Sequence, residues 1–108
     1  MNRDDLTLRR AADIIERRGW TNGVIPGSSL YGMAIDAAGR PIHALEPGAV
    51  AFAMIGAIEL AISNIYNSSV RFEFALTRAL GESYQGWEQA AGRTKDEVVA
   101  LLRRVVMT

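Results

Sequence analysis

The chain has 108 residues, 49% of them hydrophobic, with twelve basic and twelve acidic side chains and no cysteine. That length holds one core and is too short for two ordinary domains, so residues 1–108 read as a single α-helical domain. Balanced charge excludes a global field drawing the chain onto nucleic acid or anionic lipid. The missing thiols exclude disulfides, thiolate nucleophiles and cysteine-held zinc or iron–sulfur centres.

The opening MNRDDLTLRR carries two acids and no following apolar region, unlike a signal peptide. The expectation is a cytoplasmic protein with no membrane partner. Asp4 and Asp5 favour the positive end of a first helix, and Leu8, Ala11, Ala12 and Ile15 form its apolar stripe. Arg17 and Arg18 close the last turn, and Gly19 supplies a left-handed C-terminal position. The spacing predicts this helix over about residues 4–18. Arg3, Arg10 and Arg17 recur every seven residues and could track a phosphate backbone. Arg9–Asp13 and Asp13–Arg17 are i, i+4 pairs on the same surface, so a solvated, internally paired face is expected and nucleic acid is not.

Trp20 to Ser29 is a connector with two turn signals, Asn22-Gly23 and Pro26-Gly27. Ser28 and Ser29 could offer hydroxyls to a phosphate, but the stretch lacks the lysine and glycines of a P-loop. Local turn bonding is the plainer role. Leu30 to Ile35 alternates, with Tyr31, Met33 and Ile35 on one face. Asp36–Gly39 fits a type I turn, and Arg40-Pro41-Ile42-His43 is the returning strand, confined by Pro41 to an edge. His43 is the only histidine, with no acid at metal-ligand spacing, so a structural or incidental role is expected.

From Ala49 to Ile58 every residue is apolar or glycine, so a helix there has no polar face and belongs in a core. A membrane span needs roughly 20 apolar residues, and Glu59 interrupts this run too early. With Glu46 as N-cap and Pro47 in the first turn, a central helix is expected from Pro47 to Asn64. Ala51, Ala53, Gly56 and Ala57 would let neighbours approach it closely. Asn64 and Asn67-Ser68-Ser69 offer caps for a third helix over about Val70–Leu80, with Phe74 and Leu80 inward and Arg71, Glu73 and Arg78 outward. Gly81 to Arg93 is a second connector holding Tyr84 and Trp87. Thr94-Lys95-Asp96-Glu97 is a capping box, and Val98, Leu101, Leu102 and Val105 are the last helix's stripe. The fold class is therefore mostly α: a compact four-helix domain with a small β-hairpin between helices 1 and 2.

Several segments resemble a family of small actinobacterial and actinophage proteins known only as a domain of unknown function. They are the run from Leu8 to Trp20, the hairpin Asp36–Pro41, and the helix start Leu45–Val50. Ala53-Met54-Ile55-Gly56-Ala57-Ile58 is similar to the family's Ala-Leu-Gly-Ala segment, and Gly92-Arg93-Thr94-Lys95-Asp96-Glu97-Val98 to its capping run. The chain departs from the family at Trp87-Glu88-Gln89, where Trp-Asn-Asp is frequent, and near Ala53, where a cysteine is frequent. The resemblance implies a shared fold and a bacterial or phage setting, and no activity.

No catalytic constellation, metal site or cofactor is legible. The expected function is a non-enzymatic interaction or regulatory module binding a macromolecular partner or itself. The alternative is a small-ligand or nucleotide binder using the Gly/Ser/Trp connectors. Candidate binding residues are Trp20, Ser28, Ser29, Tyr31, Arg40, Phe72, Tyr84 and Trp87. Phe72 and Phe74 point roughly opposite ways on a helix. Phe72, near the junction of the second and third helices where Tyr66 and Phe74 also fall, is expected to be the exposed one, joining an apolar patch that a homodimer would cover.

Overall fold

The computed structural model describes residues 2–63 and 68–107. Asn64, Tyr66 and Asn67, which bear on the expected central-helix end, caps and patch, lie outside them. Among the described residues, five helices and three two-residue strands occur in the order α1 (Arg3–Arg18), β1 (Ala34–Ile35), β2 (Pro41–Ile42), β3 (Ala51–Phe52), α2 (Met54–Ile62), α3 (Val70–Leu80), α4 (Tyr84–Glu88) and α5 (Lys95–Arg104). The protein is mostly α, with a fifth helix where the second connector was expected. No helix among the described residues is long and apolar enough to cross a membrane.

α1 forms as its pattern dictates. The Asn2 side chain accepts from the Asp5 N–H, and Leu8, Ala11, Ala12 and Ile15 are buried. Gly19 ends the helix at φ 136°, ψ 161°, an extended glycine conformation rather than the left-handed one expected. The chain thereby leaves α1 directly as a strand-like segment. α5 closes the other side of the core through Val98, Leu101, Leu102 and Val105, and its capping box is complete. Arg103 ties α5 back to Asp13 and Glu16 of α1 at 3.0 and 3.1 Å. Asp13 also meets Arg17 at 4.0 Å; the other expected pair, Arg9–Asp13, does not form, and Arg3 and Arg10 have no ion pair among the described residues.

The expected central helix is shorter than its apolar run. Residues from Pro47 to Ala53 do not join it; Glu46 and Pro47 sit in a turn closed by Ala49 N–H to Glu46 C=O. Ala51 and Phe52 form a strand because both of its edges are taken. On one side Val50 N–H donates to Ile35 C=O and Ala53 N–H to Met33 C=O. On the other, Phe52 N–H donates to Gly19 C=O and receives the Thr21 N–H at its own C=O. A short all-apolar run suits a two-sided buried strand as well as a buried helix. The sheet order is β2-β1-β3, antiparallel throughout. Pro41 lies in the edge strand, and Asp36 closes the hairpin by accepting from Gly39 N–H.

α2 then crosses this sheet at Gly56. A Cβ there would sit 1.8 Å from the Met33 carbonyl oxygen, so only glycine lets the helix lie on the β1 strand's approach. Ile55 and Ile58 are completely buried.

In α3 the buried and exposed phenylalanines are the reverse of the expectation. Phe72 is 0% exposed, beneath the Arg71 guanidinium at 4.6 Å, whereas Phe74 is 66% exposed. The reason is phase: Phe72 shares its helical face with buried Leu76 at i+4, while Phe74 shares its face with Arg78. A dimer patch built on Phe72 is therefore excluded by its burial.

Two substitutions test the α2 crossing. Gly56→Ala is expected to cost at least ~1–3 kcal/mol by overpacking against backbone, and Ile58→Ala ~2–5 kcal/mol by cavity formation. Urea melts measure both; a midpoint unchanged in Gly56→Ala would contradict the close approach.

Candidate functional site

The first and second connectors meet around one side chain. Glu88, the last residue of α4, is 0% exposed. Its Oε2 accepts from Trp20 Nε1 at 2.9 Å and from Met54 N–H at 2.8 Å. Its Oε1 accepts from the Tyr31 hydroxyl. The Tyr31 oxygen is itself 3.5 Å from Ile55 N, and the Tyr31 ring meets Tyr84 edge-on at 5.6 Å. Tyr84 donates to Glu73 of α3 at 2.6 Å. Trp87 lies beside this group, covered by Arg93 at 4.0 Å from its ring.

The electrostatics follow from burial. Burial pushes the Glu88 carboxyl up to about 7, against the Tyr31, Trp20 and Met54 donors, which pull it down. The Tyr31 hydroxyl is held well above its ordinary value, first by burial and then by the Glu88 charge. Burial also raises Tyr84, with Glu73 adding to it. Trp20 Nε1 and Met54 N can only donate, whereas a tyrosine hydroxyl both donates and accepts. A proton arriving on Glu88 therefore belongs on Oε1, where Tyr31 can reverse its role and receive it.

This arrangement holds elements together. α2 has no side-chain cap of its own, since Ala53 stands at its N-cap. Glu88 supplies the missing acceptor from 34 residues away, placing a carboxylate at the positive helix end. Among the described residues, no side-chain N or O is buried without a partner.

Of the sequence-derived candidates, Trp20, Tyr31 and Tyr84 are thus brought together around a glutamate that sequence reasoning missed, with Trp87 next to that glutamate in α4 and under Arg93. The others are not. Ser28 accepts from Leu30 N–H at 3.0 Å within its own turn, and Ser29 is exposed beside it. Arg40 sits exposed on the hairpin, 3.7 Å from Asp36. Phe72 is core. His43 is exposed on the segment after β2, and no three His, Asp or Glu cluster as a metal site among the described residues.

A second region has the character of a binding surface. Between α3 and the segment after α5 runs a groove of about 790 Å³. Phe74 and Val106, 66% and 62% exposed, stand along it; Ala75 and Ala79 line it from α3. Arg71, Arg78 and Arg104 border it, with Asp4 as the one acid. The far wall is fixed, because Met107 N–H donates to Asp5 Oδ1 at 2.8 Å and Asn2 Nδ2 donates to Met107 C=O at 3.3 Å. The signal for this face lay in the sequence: Phe74 and Arg78 are i, i+4 on one side of α3, opposite the Phe72–Leu76 stripe.

A family model described as a family of unknown function, DUF6197, matches residues 2–106, and the chain belongs to that family. Searches of curated proteins and of solved structures found no match.

The Glu88 cluster has a pH signature. Its folded value of about 7 lies above the ordinary 4.5, so its contribution is fully present below 4.5 and is lost as pH rises towards 7. The span corresponds to a loss on the order of 3 kcal/mol. Glu88→Gln keeps an acceptor for Trp20 and Met54 and lacks the charge, so it is expected to remove this slope and gain on wild type at alkaline pH. Glu88→Ala is expected to cost ~1–3 kcal/mol for each donor left without an acceptor. Urea melts from acid to mildly alkaline pH compare the three; parallel wild-type and Gln profiles would refute the assignment.

Proposed function

We propose that the protein is a non-enzymatic interaction module that binds a macromolecular partner, or itself, through the groove between α3 and the segment after α5. The observation that carries this reading is Phe74, a large aromatic side chain left 66% exposed beside Val106 on a preformed surface. Contiguous exposed apolar surface on a small domain marks an interaction site more often than chance decoration. The aromatic cluster supports the same division of labour, since its polar atoms are occupied by Glu88 and its neighbours. Small-ligand binding by the Gly/Ser/Trp connectors takes second place on the same ground. A regulatory role and a bacterial or phage setting belong to the proposal on the sequence resemblance, and a cytoplasmic location is proposed with them.

Site-specific photo-crosslinking in the cells that make the protein tests it. With p-benzoylphenylalanine in place of Phe74, a discrete protein adduct is expected, and Val106→Asp should abolish it. The same group in place of Leu30, an exposed apolar residue off the groove, is the control. No adduct from position 74, or the same adducts from both positions, would overturn the reading.

A further inference from the structure

We infer that the groove takes an acidic amphipathic helix from a different protein, and not a second copy of this chain; this rests on the docking reading above. The lining residues of α3 recur as Arg71, Phe74, Ala75, Arg78 and Ala79, the i, i+3, i+4, i+7, i+8 pattern of one continuous helical face. α3 is 11 residues long, or about 16 Å of helix axis. Its backbone is bonded internally, so an occupant lying along it meets side chains. A helix, which satisfies its own amides, suits that surface. The alanines leave space between Phe74 and the Val105–Met107 wall into which a partner's larger apolar side chain can sink. Because that wall is tied to Asn2 and Asp5, the groove exists before the partner arrives, which lowers the ordering cost of binding.

Charge selects the partner's sign. Asp4 is engaged by Arg71 through two bonds of 2.9 and 3.0 Å, and Arg71 in turn holds the Asp4 carboxyl below its ordinary range. Arg78 and Arg104 have no ion pair among the described residues. The chain as a whole is neutral, so this local cationic excess arises from placement. Carboxylates flanking an apolar stripe would meet both arginines, Arg78 and Arg104, at a rim where charge-assisted bonds form readily. The same feature argues against self-association here. A two-fold symmetric interface sets a patch against its own copy, bringing three arginines towards three arginines with one aspartate on each side. Like charges facing one another suppress a wrong partner.

Two labelled peptides of α3's length test the inference: an amphipathic helix of leucine and glutamate, and the same pattern with lysine for glutamate. Titrations by fluorescence anisotropy at low and high salt are expected to show the acidic peptide binding at least about tenfold tighter at low salt, with the difference shrinking as salt rises. The double variant Arg78→Glu, Arg104→Glu is expected to reverse the preference, and Phe74→Ala to weaken the acidic peptide. All three side chains are exposed, and circular dichroism verifies that the variants fold. Equal binding of the two peptides, binding of neither, or a preference surviving charge reversal would overturn the inference. So would a dimer mass in light scattering that Phe74→Glu reduces to monomer. Loss of the crosslink from position 74 counts against the docking reading itself. A crosslinked partner that still binds the charge-reversed variant counts against this inference alone.

Discussion

The Glu88 carboxylate joins parts of the chain that share no local contact: the exit from α1 at Trp20, the approach to β1 at Tyr31, the first amide of α2 and the end of α4. Each partner brings a donor that burial would otherwise leave unsatisfied, and one acidic side chain meets them all. Buried polar networks of this kind favour the fold only when complete, because a half-satisfied member costs more than an apolar substitute. Here the network is complete among the described residues.

The sheet and α2 depend on that junction. β3 is held between β1 and the Gly19–Thr21 segment, and α2 begins immediately after it with no cap of its own. Glu88 fixes where the helix starts, and Gly56 fixes how near the helix can come to the backbone before β1. α1 then packs against α2 on one side and α5 on the other through apolar stripes that need no polar specification. The binding-type groove lies on another face, where α3 turns Phe74 outward and the segment after α5 supplies the opposing wall.

The amphipathic elements were legible in the sequence because one side of each faces water. α1 and α5 show their stripes and caps directly, and Pro41 correctly demotes its strand to an edge. The run from Ala49 to Ile58 was not divisible by the same logic. With every position apolar, nothing local distinguishes Ala51–Phe52, bonded on both edges, from Met54–Ile58, bonded within a helix. α4 was hidden for the opposite reason: at five residues it is too short to display a period. Its importance rests on one glutamate whose three donors come from distant segments. The candidate aromatics Trp20, Tyr31 and Tyr84 were visible as residue types and do converge, but what gathers them was not. In α3, the i, i+4 link from Phe72 to Leu76 carried the correct phase, and Phe74 followed Arg78 to the outside.

The separation of Glu88 from its partners shapes how the chain reaches this structure. Trp20 lies 68 residues before it and Tyr31 57, so the junction closes two long loops. Loop closure costs entropy that rises with the logarithm of length, and contacts of such range slow folding relative to local ones. During synthesis, α1, the sheet and α2 are all translated before the residue that completes them exists. Until then the indole N–H of Trp20 and the leading amide of α2 have only water to bond. The N-terminal two-thirds of the chain therefore leaves the ribosome with its principal junction unfinished.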